Sequence, residues 1–159
     1  MQLQGKVALV TGAGLGLGGT IAQAMAQHGA SLVICDVNLE ALHATQAAVQ
    51  ALGADCLALE CDVSDSAAVD RMFAEAGQRF GTVDVLVNNA GVAQAGAIDE
   101  VSLADWEWIV NINLFGVVRG CKVFTPIFKR QGSGHIVNIA SMAGLLDVPR
   151  MASYNVSKA

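Results

Sequence analysis

Five short apolar runs alternate along the chain with longer stretches whose apolar positions recur at helical spacing. Residues 6–12, KVALVTG, form the first run and end on a glycine, which predicts a buried strand. Helical periodicity follows over residues 16–28 and stops near Gly29. SLVICDV, residues 31–37, predicts the second strand. Asn38 is placed to cap the Ala-rich helix that runs to about Leu52, with Gly53 behind it. CLALECDV, residues 56–63, predicts the third strand. Ser64 or Asp65 caps the next helix, which runs to about Phe80 and is closed by Gly81. VDVLVNNAG, residues 83–91, predicts the fourth strand, and the stretch 91–101 a loop. Ser102 with Asp105 forms a capping box one methylene short of the usual one. It opens a long helix to about Lys129, with Gly116 and Gly120 inside it and Pro126 expected to kink or end it. HIVNIAS, residues 135–141, predicts the fifth strand, and a last helix starts near Ala152.

Strict alternation of strand and helix, joined by right-handed crossovers, gives an α/β fold with a parallel sheet covered on both faces. Composition agrees. The 159 residues are 53% hydrophobic and only 14% charged, as a sheet buried on both sides requires. Net charge is −5 with no basic block, which argues against nucleic acid and anionic membrane surfaces as partners. No apolar run is long enough to span a bilayer and no signal-peptide pattern opens the chain. The four Cys (35, 56, 61 and 121) form no CxxC pair and the three His share no metal spacing, so no metal is expected. Free buried thiols fit a reducing cytoplasmic setting.

The first candidate chemistry is TGAGLGLGG, residues 11–19, between the first strand and the first helix. Glycines there allow a tight turn and close approach of backbone to a pyrophosphate, which the helix N-terminus favours. Two registers fit: Gly14, Gly16 and Gly19 as GxGxxG, or Thr11, Gly12, Gly16 and Gly18 as TGxxxGxG. Asp36 ends the second strand, where a carboxylate accepts hydrogen bonds from ribose hydroxyls and repels a 2′-phosphate. No Arg or Lys lies in the turn or directly after Asp36, so NAD is expected over NADP. The competing reading of Asp36 is a cap for the second helix. Tyr154 and Lys158, four apart in YNVSK, share one helix face, and a nearby ammonium favours the phenolate over the phenol.

The TGxxxGxG turn, NNAG at residues 88–91, Ser141 after a strand, and YNVSK at 154–158 occur in one order across essentially the whole chain. Together they closely resemble the short-chain dehydrogenase/reductase family, in its single-domain alcohol and ketone branch. The epimerase and dehydratase branch has a TGxxGxxG turn, which needs Gly where Leu15 stands. The resemblance implies a Rossmann-type doubly wound sheet of order 3-2-1-4-5. It implies Tyr154 as the acid/base, Lys158 holding the nicotinamide ribose and favouring the phenolate, and Ser141 bonding the substrate oxygen. Asn113, in NINLFG, matches an Asn that sustains a proton relay to the Lys. Gly12, Gly14, Leu15, Gly16, Leu17 and Gly18 match the cofactor turn, Asp62 and Val63 the adenine contacts, and Asn89, Ala90 and Gly91 the cofactor-lining segment.

The reading that follows is an NAD-dependent oxidoreductase acting on a secondary alcohol or ketone. The rival readings are a nucleotide-binding module without catalysis and an NADP-dependent ketone reductase. Met142, Leu145, Leu146 and Met151 line an apolar substrate pocket or pack the loop; Trp106 and Trp108 pack a helix or a subunit contact. A homodimer or homotetramer is implied, partly through the helix 103–129. Family members continue beyond the YxxxK helix. Residues 1–159 are therefore expected to be a single NAD(P)-binding domain cut within the catalytic helix of a longer chain.

Overall fold

The computed structural model describes residues 2–159. Five strands, β1 (Val7–Thr11), β2 (Ser31–Asp36), β3 (Cys56–Glu60), β4 (Val85–Asn88) and β5 (His135–Asn138), form one sheet in the order β3-β2-β1-β4-β5. Every pairing is parallel. This is the expected Rossmann-type order. It reverses direction between β1 and β4, which opens the crevice at the carboxyl ends of those strands. In register, Thr11 lies opposite Cys35, and Asn88 opposite Asn138.

The continuous apolar strands require cover on both faces. On one face Leu9, Val33, Leu86 and Phe124 pack with helices α3 (Ser66–Phe80) and α5 (Gly116–Gln131). Phe73 meets Phe124 edge-on, centroids 5.5 Å apart. On the other face Ala8, Val10, Leu32, Ile34 and Val87 pack against α1 (Gly16–Gln27) and α2 (Leu39–Ala51). Asp84 fastens the sheet's lower edge: its carboxylate accepts from Val7 N and pairs with Lys6, both at 2.9 Å.

Capping signals map onto real caps. The Asn38 side chain accepts from Ala41 N, which leaves Asp36 free of that role. Asp65, not Ser64, caps α3. Ser102 and Asp105 form the reciprocal box at α4 (Leu103–Val110). Three strands end earlier than their apolar runs. β4 stops at Asn88 because the amides of Asn89 and Ala90 turn to Thr11 Oγ1 instead of a neighbouring strand. β3 stops at Glu60, after which Asp62 bonds Ser64 N within its own loop. β5 stops at Asn138, before Ser141 opens a 3₁₀ turn, Met142–Gly144.

The long helix differs most from expectation. It is two helices, α4 and α5, joined by a π-helical turn, Asn111–Phe115. Pro126 does not end it, and α5 continues to Gln131. One lost N–H is outweighed by the buried Phe124 and Phe128 on either side of the proline. No helix among the described residues is long and apolar enough to cross a membrane.

Candidate functional site

The turn between β1 and α1 is set by backbone approaches that only glycine permits. Gly12 has φ +64°, and a Cβ there would stand 2.7 Å from Ala90 Cα. A Cβ on Gly18 would overlap the Gly12 carbonyl and lie 2.5 Å from Asn89 Nδ2. Gly14 N donates to Asp36 Oδ2 at 2.9 Å, and Gly16 takes φ +59° with open space where a side chain would go. Leu15 occupies the α1 N-cap position and offers no side-chain acceptor, so the first-turn amides lack the usual cap. Leu15 and Leu17 are both exposed. Uncapped amides beside open space at Gly16 form a cradle that fits a pyrophosphate.

Asp36 closes the turn from the β2 side. Its second oxygen accepts from Asn38 N at 2.9 Å. Asp36 borders a cleft of about 140 Å³ with Gly12, Asp62, Val63, Ala90 and Gly91. Larger hollows exist elsewhere. One of about 610 Å³ lies by Gly29 and Gly53, at the opposite end of the sheet, and contains none of the candidate residues. Chemistry, not volume, selects the smaller cleft. Cys61 also lines it. Cys35 and Cys61 are both free thiols; hydrogen bonding with the neighbouring Cys61 and then burial push the Cys35 thiol well above its ordinary range, while the same interaction draws Cys61 down. Burial pushes Cys56 up to about 12.

NNAG is a junction of strands. Asn89 Nδ2 donates to Thr11 O and Gly12 O, each at 2.9 Å, while Thr11 Oγ1 accepts from Asn89 N and Ala90 N. Asn88 Nδ2 donates to Asn138 Oδ1 at 2.9 Å, bridging β4 to β5. A Cβ on Gly120 would overlap Asn88 Oδ1, which explains a glycine inside α5.

Asn113 sits in the π-helical turn and is buried. It is not satisfied within its own helix. Its Oδ1 accepts from Val92 N at 2.8 Å, and its Nδ2 donates to Val92 O at 2.8 Å and Ser157 Oγ at 2.9 Å. The bond to Ser157 fastens α6 (Ala152–Lys158) to the turn. Lys158 Nζ donates to Ile139 O at 3.1 Å. A Cβ on Gly91 would stand 3.2 Å from Asn113 Oδ1 and 3.5 Å from Lys158 Nζ. Gly91 thus brings Asn113 and Lys158 to one spot at the cleft wall.

Ser141 caps the 3₁₀ turn, its Oγ accepting from Ala143 N at 3.1 Å. A Cβ on Gly144 would overlap the Lys158 carbonyl, so this turn lies directly on α6. Tyr154 is half-buried on α6. Among the described residues its hydroxyl forms no hydrogen bond, and none joins it to Ser141 or Lys158. Ser157 and Arg119 carry no signal in the sequence, and Thr11 appears there only as the first residue of the glycine motif. Ser157 sits inside YNVSK, but helical spacing does not distinguish it from a solvent-facing Ser.

A parallel α/β sheet with a glycine turn at its switch point and an acidic residue ending β2 defines a dinucleotide-binding domain of the Rossmann type. The chain belongs to the short-chain dehydrogenase/reductase family: the family described as short chain dehydrogenase matches residues 6–159. It is 42% identical over 154 residues to the CLA biosynthesis dehydrogenase/reductase of Lactiplantibacillus plantarum, covering 96% of this chain and 54% of that protein. A short chain dehydrogenase/reductase from Burkholderia phymatum, solved in complex with NAD, superposes with a TM-score of 0.95 at 43% identity, covering 99% of this chain and 57% of that one. A metagenomic short-chain oxidoreductase, solved in complex with NADP, gives 0.95 at 34% identity, covering 99% and 72%. The chain spans little more than half the length of the first two.

Proposed function

We propose that residues 1–159 form the NAD-binding domain of an oxidoreductase that interconverts a secondary alcohol and a ketone, with Tyr154 as acid/base. The observation that carries this reading is the meeting of Asn113 and Lys158 over Gly91, which seats the Tyr154 helix against the glycine-turn cleft. The first-turn amides of α1 and residues 12–18 hold the pyrophosphate, Asp36 the adenosine ribose, and Asp62 and Val63 the adenine. Asn89, Ala90 and Gly91 line the remaining wall, and Tyr154 with Lys158 holds the nicotinamide ribose. A bound nicotinamide supplies the hydride acceptor or donor that no side chain provides.

The chain's own residues manage the proton. The Tyr154 hydroxyl, free of partners among the described residues, is available to a substrate oxygen; as phenolate it takes the alcohol proton, and as phenol it returns one to the forming alkoxide. Ser141 Oγ accepts from Ala143 N, which leaves its own hydroxyl proton to donate to the same oxygen. Lys158, anchored on Ile139 O, presents its ammonium at the cleft wall beside Gly91. Asn113 fixes α6 through Ser157 while its main chain sits in a widened helical turn, suited to a water-linked relay toward Lys158.

NAD is favoured over NADP because both Asp36 oxygens are held by backbone amides at the cleft, keeping a carboxylate where a 2′-phosphate would lie. The exposed apolar residues Trp108, Leu114, Phe115 and Val118 on α4, the π-helical turn and α5 support a homodimer or homotetramer. The deciding experiment is NAD reduction by the full-length protein over a panel of secondary alcohols, followed at the reduced-nicotinamide band. Turnover lost in Tyr154→Phe with NAD binding retained supports the reading; full activity in that variant overturns it. Tighter binding of NADP than NAD overturns the role given to Asp36.

A further inference from the structure

We propose that Arg119 is a positioning residue for the cofactor cleft, its guanidinium tying the Val63 wall to the π-helical turn and so setting the adenine end. The inference rests on the function proposed above. Arg119 lies on α5, two turns beyond Asn111. Its Nε donates to Ser66 Oγ at 3.0 Å; Nη1 donates to Val63 O at 3.3 Å and Asn111 O at 3.1 Å; Nη2 donates to Asn111 Oδ1 at 2.7 Å. One side chain thereby joins the β3–α3 loop, the first residue of α3 and the π-helical turn.

The chemistry suits arginine. The Asn111 carbonyl already accepts from Gly116 N in the widened turn, and a second donor fills its other lone pair. A planar five-donor fork reaches acceptors on both sides of a gap, whereas a lysine ammonium is a single point. Two of the elements it joins line the cleft, the β3–α3 loop through Val63 and the π-helical turn through Ile112, the neighbour of Asn111. The gap has little slack: a Cβ on Gly116 would stand 2.9 Å from Val63 Cγ2. A displacement of the turn therefore moves the Val63 wall.

The test measures binding of NAD and of AMP, which carries the adenine end alone, by titration calorimetry of the full-length protein. Wild type is compared with Arg119→Ala and Arg119→Lys at a temperature where circular dichroism shows the proteins folded. Both variants are expected to weaken NAD and AMP by the same factor, about tenfold, with KM for NAD rising more than kcat falls. Should Arg119→Ala fail to fold, Arg119→Lys carries the test, since it keeps the charge and the aliphatic stem. Unchanged affinities beside a lower melting temperature would make Arg119 a plain strut and overturn the inference. So would NAD weakening while AMP does not. Wild-type protein that binds neither ligand overturns the proposed function itself, and this inference with it.

Discussion

The two sides of the crevice are built differently. On the cofactor side every residue of β1 is buried, and the turn is fixed by backbone approaches at Gly12 and Gly18 and by the bonds of Thr11 and Asn89. On the other side lie β5, the Ser141 turn and α6. There the geometry comes from side chains anchored at their stems. Lys158 is held on Ile139 O, and α6 is held by Ser157 on Asn113. Arg150, the one non-glycine with positive φ among the described residues, accepts from Gly96 N at its carbonyl at 2.7 Å and donates from its guanidinium to Glu100 at 3.1 Å. The glycine-turn wall is thus held by close backbone approaches together with the Thr11 and Asn89 side chains, and the α6 wall by the Asn113, Ser157 and Lys158 side chains. Changes on the first side should damage folding and binding together, whereas changes on the second should separate chemistry from binding.

The largest expected effect lies on the substrate side. Tyr154→Phe removes one hydroxyl that has no partner among the described residues, so kcat should fall about 10²–10⁴-fold, while NAD affinity and melting temperature stay close to wild type. A matching loss of NAD binding would erase the contrast. Next comes Gly18→Ala on the other side. Its added methyl has nowhere to go between the Gly12 carbonyl and Asn89, so stability should drop by about 1–3 kcal/mol and NAD binding should fall with it. Calorimetric melting and NAD titration check both; normal stability with lost binding would mean that the turn can relax. Asn113→Ala tests the seam. It strips partners from Val92 N and Ser157 in a buried place, which should cost about 1–3 kcal/mol and lower kcat through loss of α6 anchoring. Intact kcat in the folded variant would show that α6 is seated by other contacts.

Much of this division was legible in the sequence, and the reasons are physical. Apolar runs report strands buried on both faces, so the sheet could be read directly, although the runs overshoot where amides leave the ladder for Thr11. Glycine patterns report backbone approach, so Gly12, Gly14, Gly16 and Gly18 announced the turn. The π-helical turn was hidden because one inserted residue per turn leaves the helical pattern of residues 103–129 almost unchanged; Asn113 was visible, but the reason for its placement was not. Arg119 was hidden for a related cause. Its four acceptors are the Ser66 hydroxyl, the amide oxygen of Asn111 and two main-chain carbonyls, and carbonyl positions leave no residue signature. Asp36 was half-legible: its place at the end of β2 marked it as a candidate for a ribose site, but its bond to Gly14 N appears only in three dimensions.

The smallest effect sharpens the same contrast at the helix beneath the substrate side. At the N-terminus of α4, Asp105 Oδ2 accepts from Ser102 Oγ at 2.7 Å and from Ser102 N at 3.3 Å, while Ser102 Oγ accepts from Asp105 N at 3.2 Å. The Ser102 hydroxyl first, and then the Gln94 amide, hold the Asp105 carboxyl below its ordinary 3.8. A folded value below the unfolded one means that the unfolded chain binds more protons in the window between them. The contribution is therefore complete above the ordinary value and is lost as pH falls through the depressed one. The carboxylate is exposed, so the effect is small and screened by salt. Asp105→Asn should melt slightly below wild type at neutral pH, and the gap should close on acidification below about pH 4. Closing the gap would show that charge on α4 contributes on this side of the crevice, where the Gly12 end of the glycine turn is tied by the neutral groups of Thr11 and Asn89. A gap that persists at acid pH would assign the box to neutral hydrogen bonding alone and make the two sides more alike than their geometry implies.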